Sequence, residues 1–325
     1  MRYVQRTALP GDHRAFRYIL RVQRRRLGTS GPEISVIGYG AWEAGGTDWG
    51  ANASEDAVIE AVRAALDAGI DWIDTAEVYG KGVSETLVGR AVAGRRDDVL
   101  LASKVAPAPE GSGFRPHEVR AACEASLRRL GTDRIDLYQL HWPDETGIPI
   151  EETWGAVAEL VAAGSVRYAG VSNFDRAQIE RCLPIRHVDS LQPEFSLLAP
   201  EERDLIRWCG ESGVGVISYS PLGAGLLTGG IAPGTTFTDW RGEETEGFLS
   251  DLEGSLALVD RLRPIAARIG VPLSQLALAW NVAQSGVTAA IAGSRNPDHV
   301  RTNAGAGDLV LDGSTLRQID DLLAV

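Results

Sequence analysis

From Ser35 onward, short apolar runs alternate with longer stretches whose apolar positions recur at helical spacing. The first run predicts a strand over residues 36–38. A helix over 54–68 follows, with Ser54 as N-cap, Glu55 and Asp56 at its positive end and Gly69 closing it. Residues 71–74 form the second strand, and a helix over 84–93 leads to the third, 99–104. Pro116 suits the first turn of a helix reaching residue 129. The fourth strand covers 135–141, a helix spans 150–163, and Gly164 precedes a fifth strand over 166–172. Asp175 opens a short helix before strand six (190–193), and Pro200 opens another before strand seven (215–218). Strand eight covers 288–292. One long loop, about 221–254, carries Phe237, Trp240 and Phe248 after strand seven, and long aromatic loops on compact domains are usually functional.

Eight strands alternating with helices predict an α/β fold, a (β/α)8 TIM barrel. A doubly wound sheet fits less well. Gly38-Tyr39-Gly40 runs on to Glu43 and Gly223-Ala224-Gly225 to Thr228, so neither supplies the third glycine of a dinucleotide-binding fingerprint. No Pro/Gly linker divides the body. Residues 24–325 therefore read as a single domain.

Charge changes the picture at the N-terminus. The chain has 325 residues and a net charge of -12, which argues against a general nucleic-acid binder. Its first 26 residues hold eight arginines and one acid, Asp12, so a basic leader precedes a strongly acidic body. Residues 1–23 are expected to be a disordered extension, with a targeting or nucleic-acid arm as the competing use. No apolar run is long enough to span a membrane. Cys123, Cys182 and Cys209 are odd in number and widely spaced, which reads as reduced thiols in a cytoplasmic protein with no metal site. Lysine is scarce: Lys81 and Lys104 stand against 30 arginines.

Polar residues fall where the apolar runs stop: Asp74, Lys104, His141, Ser172-Asn173, Gln192 and Tyr219. In a barrel those positions face the catalytic mouth. Period-two alternation puts Leu100, Ala102 and Lys104 on one face, and Ile135, Leu137, Gln139 and His141 on another. Tyr79 lies on the loop after Asp74. A phenol is a poor acid at neutral pH, and a neighbouring ammonium lowers its pKa. Lys104 is the expected ammonium and Asp74 its anchor, while His141 orients a carbonyl oxygen that Tyr79 protonates. With no metal cluster and no activated Ser or Cys, a cofactor hydride is the expected nucleophile. Each residue also has an ordinary use: Asp74 as a turn cap, Tyr79 as a rim aromatic, His141 as a core histidine, Lys104 as a Schiff-base lysine.

The segments WIDTAEVYG (72–80), SKV (103–105), LYQLHWPD (137–144), GVSNF (170–174), LQPEFSLL (191–198) and SYSPLGAGLLTG (218–229) resemble, in order, those of aldo-keto reductases. The similarity covers about residues 27–307. It implies a barrel that binds NADPH without a Rossmann domain and reduces aldehydes or ketones, with Asp74, Tyr79, Lys104 and His141 as catalytic tetrad. By the same resemblance, Ser172, Asn173 and Gln192 hold the nicotinamide carboxamide, Tyr219 stacks on its ring, and Trp42 lies near its ribose. Ser220, Leu222, Gly223, Gly225 and Leu227 form a pyrophosphate loop. Residues 293–303 hold the adenosine end, with Gly293, Ser294 and Arg295 at a 2′-phosphate, Asn303 at the adenine, and His299 where the family usually has Gln or Arg. Thr302 likewise replaces a usual Glu, and these two departures bear on the preference for NADPH over NADH. Residues 24–34 resemble a hairpin closing the barrel bottom. Lys104 and Arg295 are the expected basic groups drawing the cofactor to an acidic body.

The substrate is a small carbonyl compound whose pocket is expected to include Trp42, Trp49, Trp142 and Trp240. That wall suits apolar or aromatic carbonyls, while Glu43, Arg241 and Glu243 suit a sugar. A regulatory NADP(H)-binding subunit, as some members of the family are, is the alternative to an enzyme. The oligomeric state is not legible in the chain.

Overall fold

A computed structural model describes residues 22–46, 49, 53–243 and 247–323. The extension expected over 1–23 thus lies outside the described residues up to residue 21. The charge boundary places Val22 and Gln23 in that extension, but both are packed. Val22 is buried against Gly307, and the Gln23 N–H donates to the Gly307 carbonyl (3.1 Å).

Strands β1 (Arg24–Arg26) and β2 (Glu33–Ser35) pair antiparallel. They form the hairpin expected beneath the barrel, and Leu27 and Ile34 bury beside the barrel-lining Trp72, Ala102, Leu137, Ile217 and Ala289. The turn needs Gly28: its φ is +58°, and a Cβ there would meet the Gly213 carbonyl oxygen at 2.5 Å.

Eight parallel strands close the barrel in chain order: β3 (Ile37–Gly40), β4 (Trp72–Asp74), β5 (Leu100–Val105), β6 (Ile135–Leu140), β7 (Val166–Ser172), β8 (Ser190–Gln192), β9 (Gly215–Ser218) and β10 (Val287–Gly293). The apolar pattern ends the first strand at residue 38, whereas β3 continues to Gly40. There β10 closes the barrel, pairing Gly38 with Ile291 and Gly40 with Gly293. Glycine is required at 38, because a Cβ would lie 2.2 Å from the Trp72 ring that fills the barrel.

Helices α1 (Glu55–Asp67), α2 (Val83–Ala91), α3 (Pro116–Leu130), α4 (Ile150–Ala162), α5 (Arg176–Cys182) and α6 (Arg203–Glu211) follow strands β3 to β8. The caps behave as their residues predict: Ser54 Oγ accepts from the Ala57 N–H (3.2 Å), and Asp175 and Gln178 form a capping box. After β9 the expected long loop is partly helical. It holds 3₁₀ turns at Gly223–Thr228 and Trp240–Gly242, then α7 (Gly247–Ser250) and the start of α8 (Leu252–Ile269). Helix α9 (Leu273–Ala283) precedes β10, and α10 (Pro297–Gly305) and α11 (Gly313–Leu323) complete the chain. The sequence pattern did not predict α8, α9 or α11. Pro264 interrupts the α8 pattern, and α9 is buried over most of its circumference, so it lacks the polar stripe that marks a surface helix.

Candidate active site

The C-terminal ends of the strands converge on one ion pair. Asp74 ends β4 and Lys104 is the penultimate residue of β5; both are buried, and Lys104 Nζ lies 2.5 Å from Asp74 Oδ1. Lys104 also donates to the Thr75 carbonyl (3.1 Å) and to Tyr79 Oη (3.2 Å), with its ammonium 4.9 Å from the tyrosine ring centroid. The second Asp74 oxygen accepts from Gln192 Nε2 (2.9 Å) and Gln139 Nε2 (3.5 Å). Four strands, β4, β5, β6 and β8, thus meet at one carboxylate.

His141 follows β6, tied in by its N–H to the Val105 carbonyl (2.9 Å). Its ring stands edge-on to Tyr79 at 5.6 Å, and its buried Nδ1 has no partner. Burial, with the nearby Lys104 charge, holds the imidazole well below its ordinary pKa, so it is neutral at pH 7. Burial opposes the Lys104 charge too, but Asp74 and Tyr79 outweigh it and raise the ammonium's pKa. Lys104 pulls the Tyr79 pKa down as expected, but a larger influence opposes it. Burial pushes the phenol up by more than Lys104 pulls it down, so the net shift is upward and the group is a phenol at neutral pH.

A cavity of about 930 Å³ opens over these residues and runs along the barrel mouth to α10. Asp74, Tyr79, His141, Trp42, Trp49 and Trp142 line its inner end, together with Ser172, Asn173, Gln192 and Tyr219. These last four form a chain. Tyr219 Oη donates to Asn173 Oδ1 (3.0 Å), Asn173 Nδ2 donates to the His141 carbonyl (3.1 Å), and Ser172 Oγ donates to the Gln192 carbonyl (2.8 Å). Ser220, Leu222 and Gly225 form the middle wall, and Gly293, Ser294, Arg295, His299 and Asn303 the far end. Tyr39, which the sequence did not single out, fixes that end by donating its buried hydroxyl to the Ser294 carbonyl (3.0 Å).

Four expected members stand elsewhere. Leu227 is wholly buried in the core, and its N–H is spent on the Leu222 carbonyl (3.1 Å). Gly223 turns toward Leu198, away from the cleft. Trp240 packs behind Trp42 and Trp49, with ring centroids at 5.1 and 5.3 Å, and borders a neighbouring hollow. Lys104 lies beneath the cavity floor, so it offers no basic surface; the arginines of the wall are Arg241 and Arg295. Lys81 is exposed. Gln139 and Glu43 are the polar groups that sequence reading undervalued: parity gave Gln139 its face, but inter-strand register supplies its partner.

A closed parallel barrel thus holds a buried Asp–Lys–Tyr chain beneath an elongated mouth. Residues 36–324 match the pattern of the Aldo/keto reductase family. Aldo-keto reductase YhdN of Bacillus subtilis (strain 168) is 36% identical over 307 residues, which cover 91% of this chain and 92% of that protein. Among solved structures, the glycerol dehydrogenase AKR11B4 of Gluconobacter oxydans superposes with a TM-score of 0.82 at 32% identity, covering 93% and 94% of the two chains. An aldo-keto reductase of Klebsiella pneumoniae in complex with NADPH gives 0.74 at 33% identity, covering 93% and 95%. The chain belongs to the aldo/keto reductase family and is an oxidoreductase. No described helix is long and apolar enough to cross a membrane.

Proposed function

We propose that the protein reduces an aldehyde or ketone to an alcohol with NADPH, using Asp74, Tyr79, Lys104 and His141. The observation that carries the reading is the buried chain from Asp74 through Lys104 to Tyr79 Oη, at 2.5 and 3.2 Å, with the Tyr79 ring 5.6 Å from that of a neutral His141 on the cavity wall. A carbonyl oxygen between Tyr79 and His141 receives a hydrogen bond from each. Tyr79 delivers its proton as charge develops on that oxygen, and Lys104 stabilises the phenolate left behind. Asp74 keeps the ammonium in place, and Gln139 and Gln192 keep Asp74 in place.

The cleft fits the dinucleotide. Its volume is that of a large ligand site, Tyr219 offers a stacking face near the tetrad, and Ser172 and Asn173 offer hydrogen bonds beside it. At the other end Arg295 and the N-terminus of α10 suit a phosphate, and Asn303 suits the adenine. When bound, the dihydronicotinamide supplies the hydride. The Klebsiella relative, in complex with NADPH, supports this choice of cofactor. The three buried free cysteines support a cytoplasmic location. Trp42, Trp49 and Trp142 make an aromatic wall for the substrate.

NADPH oxidation with a panel of aldehydes and ketones tests the reading. Tyr79→Phe is expected to lower kcat by a factor on the order of 10² to 10⁴ with NADPH affinity retained. Turnover at the wild-type rate in that variant removes Tyr79 as the proton donor.

A further inference from the structure

A cation that is to hold a phosphate must turn toward it, and the cleft's two arginines differ in what they must leave. Arg241 is clamped by Asp239 at 2.6 and 2.9 Å, and Asp239 is itself buried outside the cleft wall. Arg295 is paired with a residue of the wall itself: its Nε lies 3.6 Å from Glu43 Oε2, and its Nη2 donates to the Trp49 carbonyl (2.9 Å). Glu43 sits on the 3₁₀ turn Trp42–Gly45, with 25% of its side chain exposed, and its other oxygen faces Gly293. Among the described lining residues the only carboxylates are Asp74, which Lys104 occupies, and Glu43. Burial pushes the Glu43 carboxyl above its ordinary range, and Arg295 is the strongest of the groups pulling it back, ahead of Arg241 and His299. A negative charge in a half-dry wall therefore depends on the guanidinium that a phosphate at this end of the cleft also needs.

Resting on the cofactor reading above, we propose that Glu43 is a specificity-determining residue that competes with the cofactor's 2′-phosphate for Arg295. The pyrophosphate is common to NADPH and NADH, so any repulsion between it and Glu43 weakens both alike. The 2′-phosphate alone must draw Arg295 away, leaving Glu43 without its main counter-charge in a poorly solvated place. NADH leaves the Glu43–Arg295 pair intact. Glu43 thus narrows the margin by which NADPH is preferred.

Dissociation constants from fluorescence titration of NADPH and NADH, at one ionic strength, test this in the wild type, Glu43→Gln, Arg295→Ala and the double variant. Glu43→Gln keeps the side chain's size and removes its charge. It is expected to tighten NADPH about fivefold more than NADH, and this selective gain is expected to vanish where Arg295 is absent. Glu43→Asp, which keeps the charge but draws it back from Arg295, is expected to give a smaller selective gain. Equal tightening of both dinucleotides, no change in either, or the same gain without Arg295 overturns the proposal. Failure of the wild type to bind either dinucleotide overturns the cofactor reading, and this inference with it.

Discussion

Tyr79 is held between two opposing influences, and their balance sets the pH behaviour of the site. Burial favours the neutral phenol, while Lys104 favours the phenolate. Reduction needs the phenol, so its rate is expected to be level through neutral pH. Alcohol oxidation needs the phenolate and is expected to rise as the solution becomes alkaline. Lys104→Met removes the pull toward phenolate, so the alkaline rise of the oxidation rate is expected to move to higher pH, read from kcat against pH. An unmoved profile would show that Lys104 does not tune Tyr79. His141 is neutral over this whole range and adds no inflection near pH 7. At this scale the cluster of Asp74, Tyr79, Lys104 and His141 is legible in the sequence, because three of its members end or follow apolar runs and Tyr79 lies on the loop after Asp74. The depth of Lys104 is not legible: it takes a surrounding barrel to turn an expected surface cation into a sealed one.

The elements carry two close fits that the site depends on. Trp72 lies over Gly38, where no other residue leaves room for the ring, and it sits two residues before Asp74 on the same strand. The hairpin closes the bottom with Leu27 and Ile34. Leu27→Ala is expected to cost about 2–5 kcal/mol of unfolding free energy with kcat nearly unchanged, because the cavity opens at the end away from the chemistry. Denaturant unfolding beside steady-state assays measures both, and a large loss of kcat without loss of stability contradicts the separation. Most strands are legible as apolar runs, and most early helices by their caps. The end of β3 is hidden because Gly38 and Gly40 pass for turn residues until β10 pairs with them. Helix α9 is hidden for the opposite reason: nearly all of it is buried, so no polar face marks its period.

For the whole molecule, a chain with a net charge of -12 holds a long cleft whose two arginines are already matched by carboxylates. Long-range attraction of an anionic ligand is therefore small, and affinity rests on contacts made inside the mouth. The buried pair of Asp74 and Lys104 has a further consequence. Such pairs lose most of their attraction to the cost of drying two charges, and well-packed apolar replacements are often as stable or more so. Lys104→Met alone leaves Asp74 charged and dry, and is expected to destabilise by about 3–5 kcal/mol. The double variant Asp74→Leu/Lys104→Met is expected to regain most of that loss, as thermal melting of the three proteins would show. A double variant that melts no higher than the single one would make the pair a genuine brace. On the expected outcome the pair adds little net stability over apolar side chains, and its use lies in the charge it sets beside the Tyr79 hydroxyl.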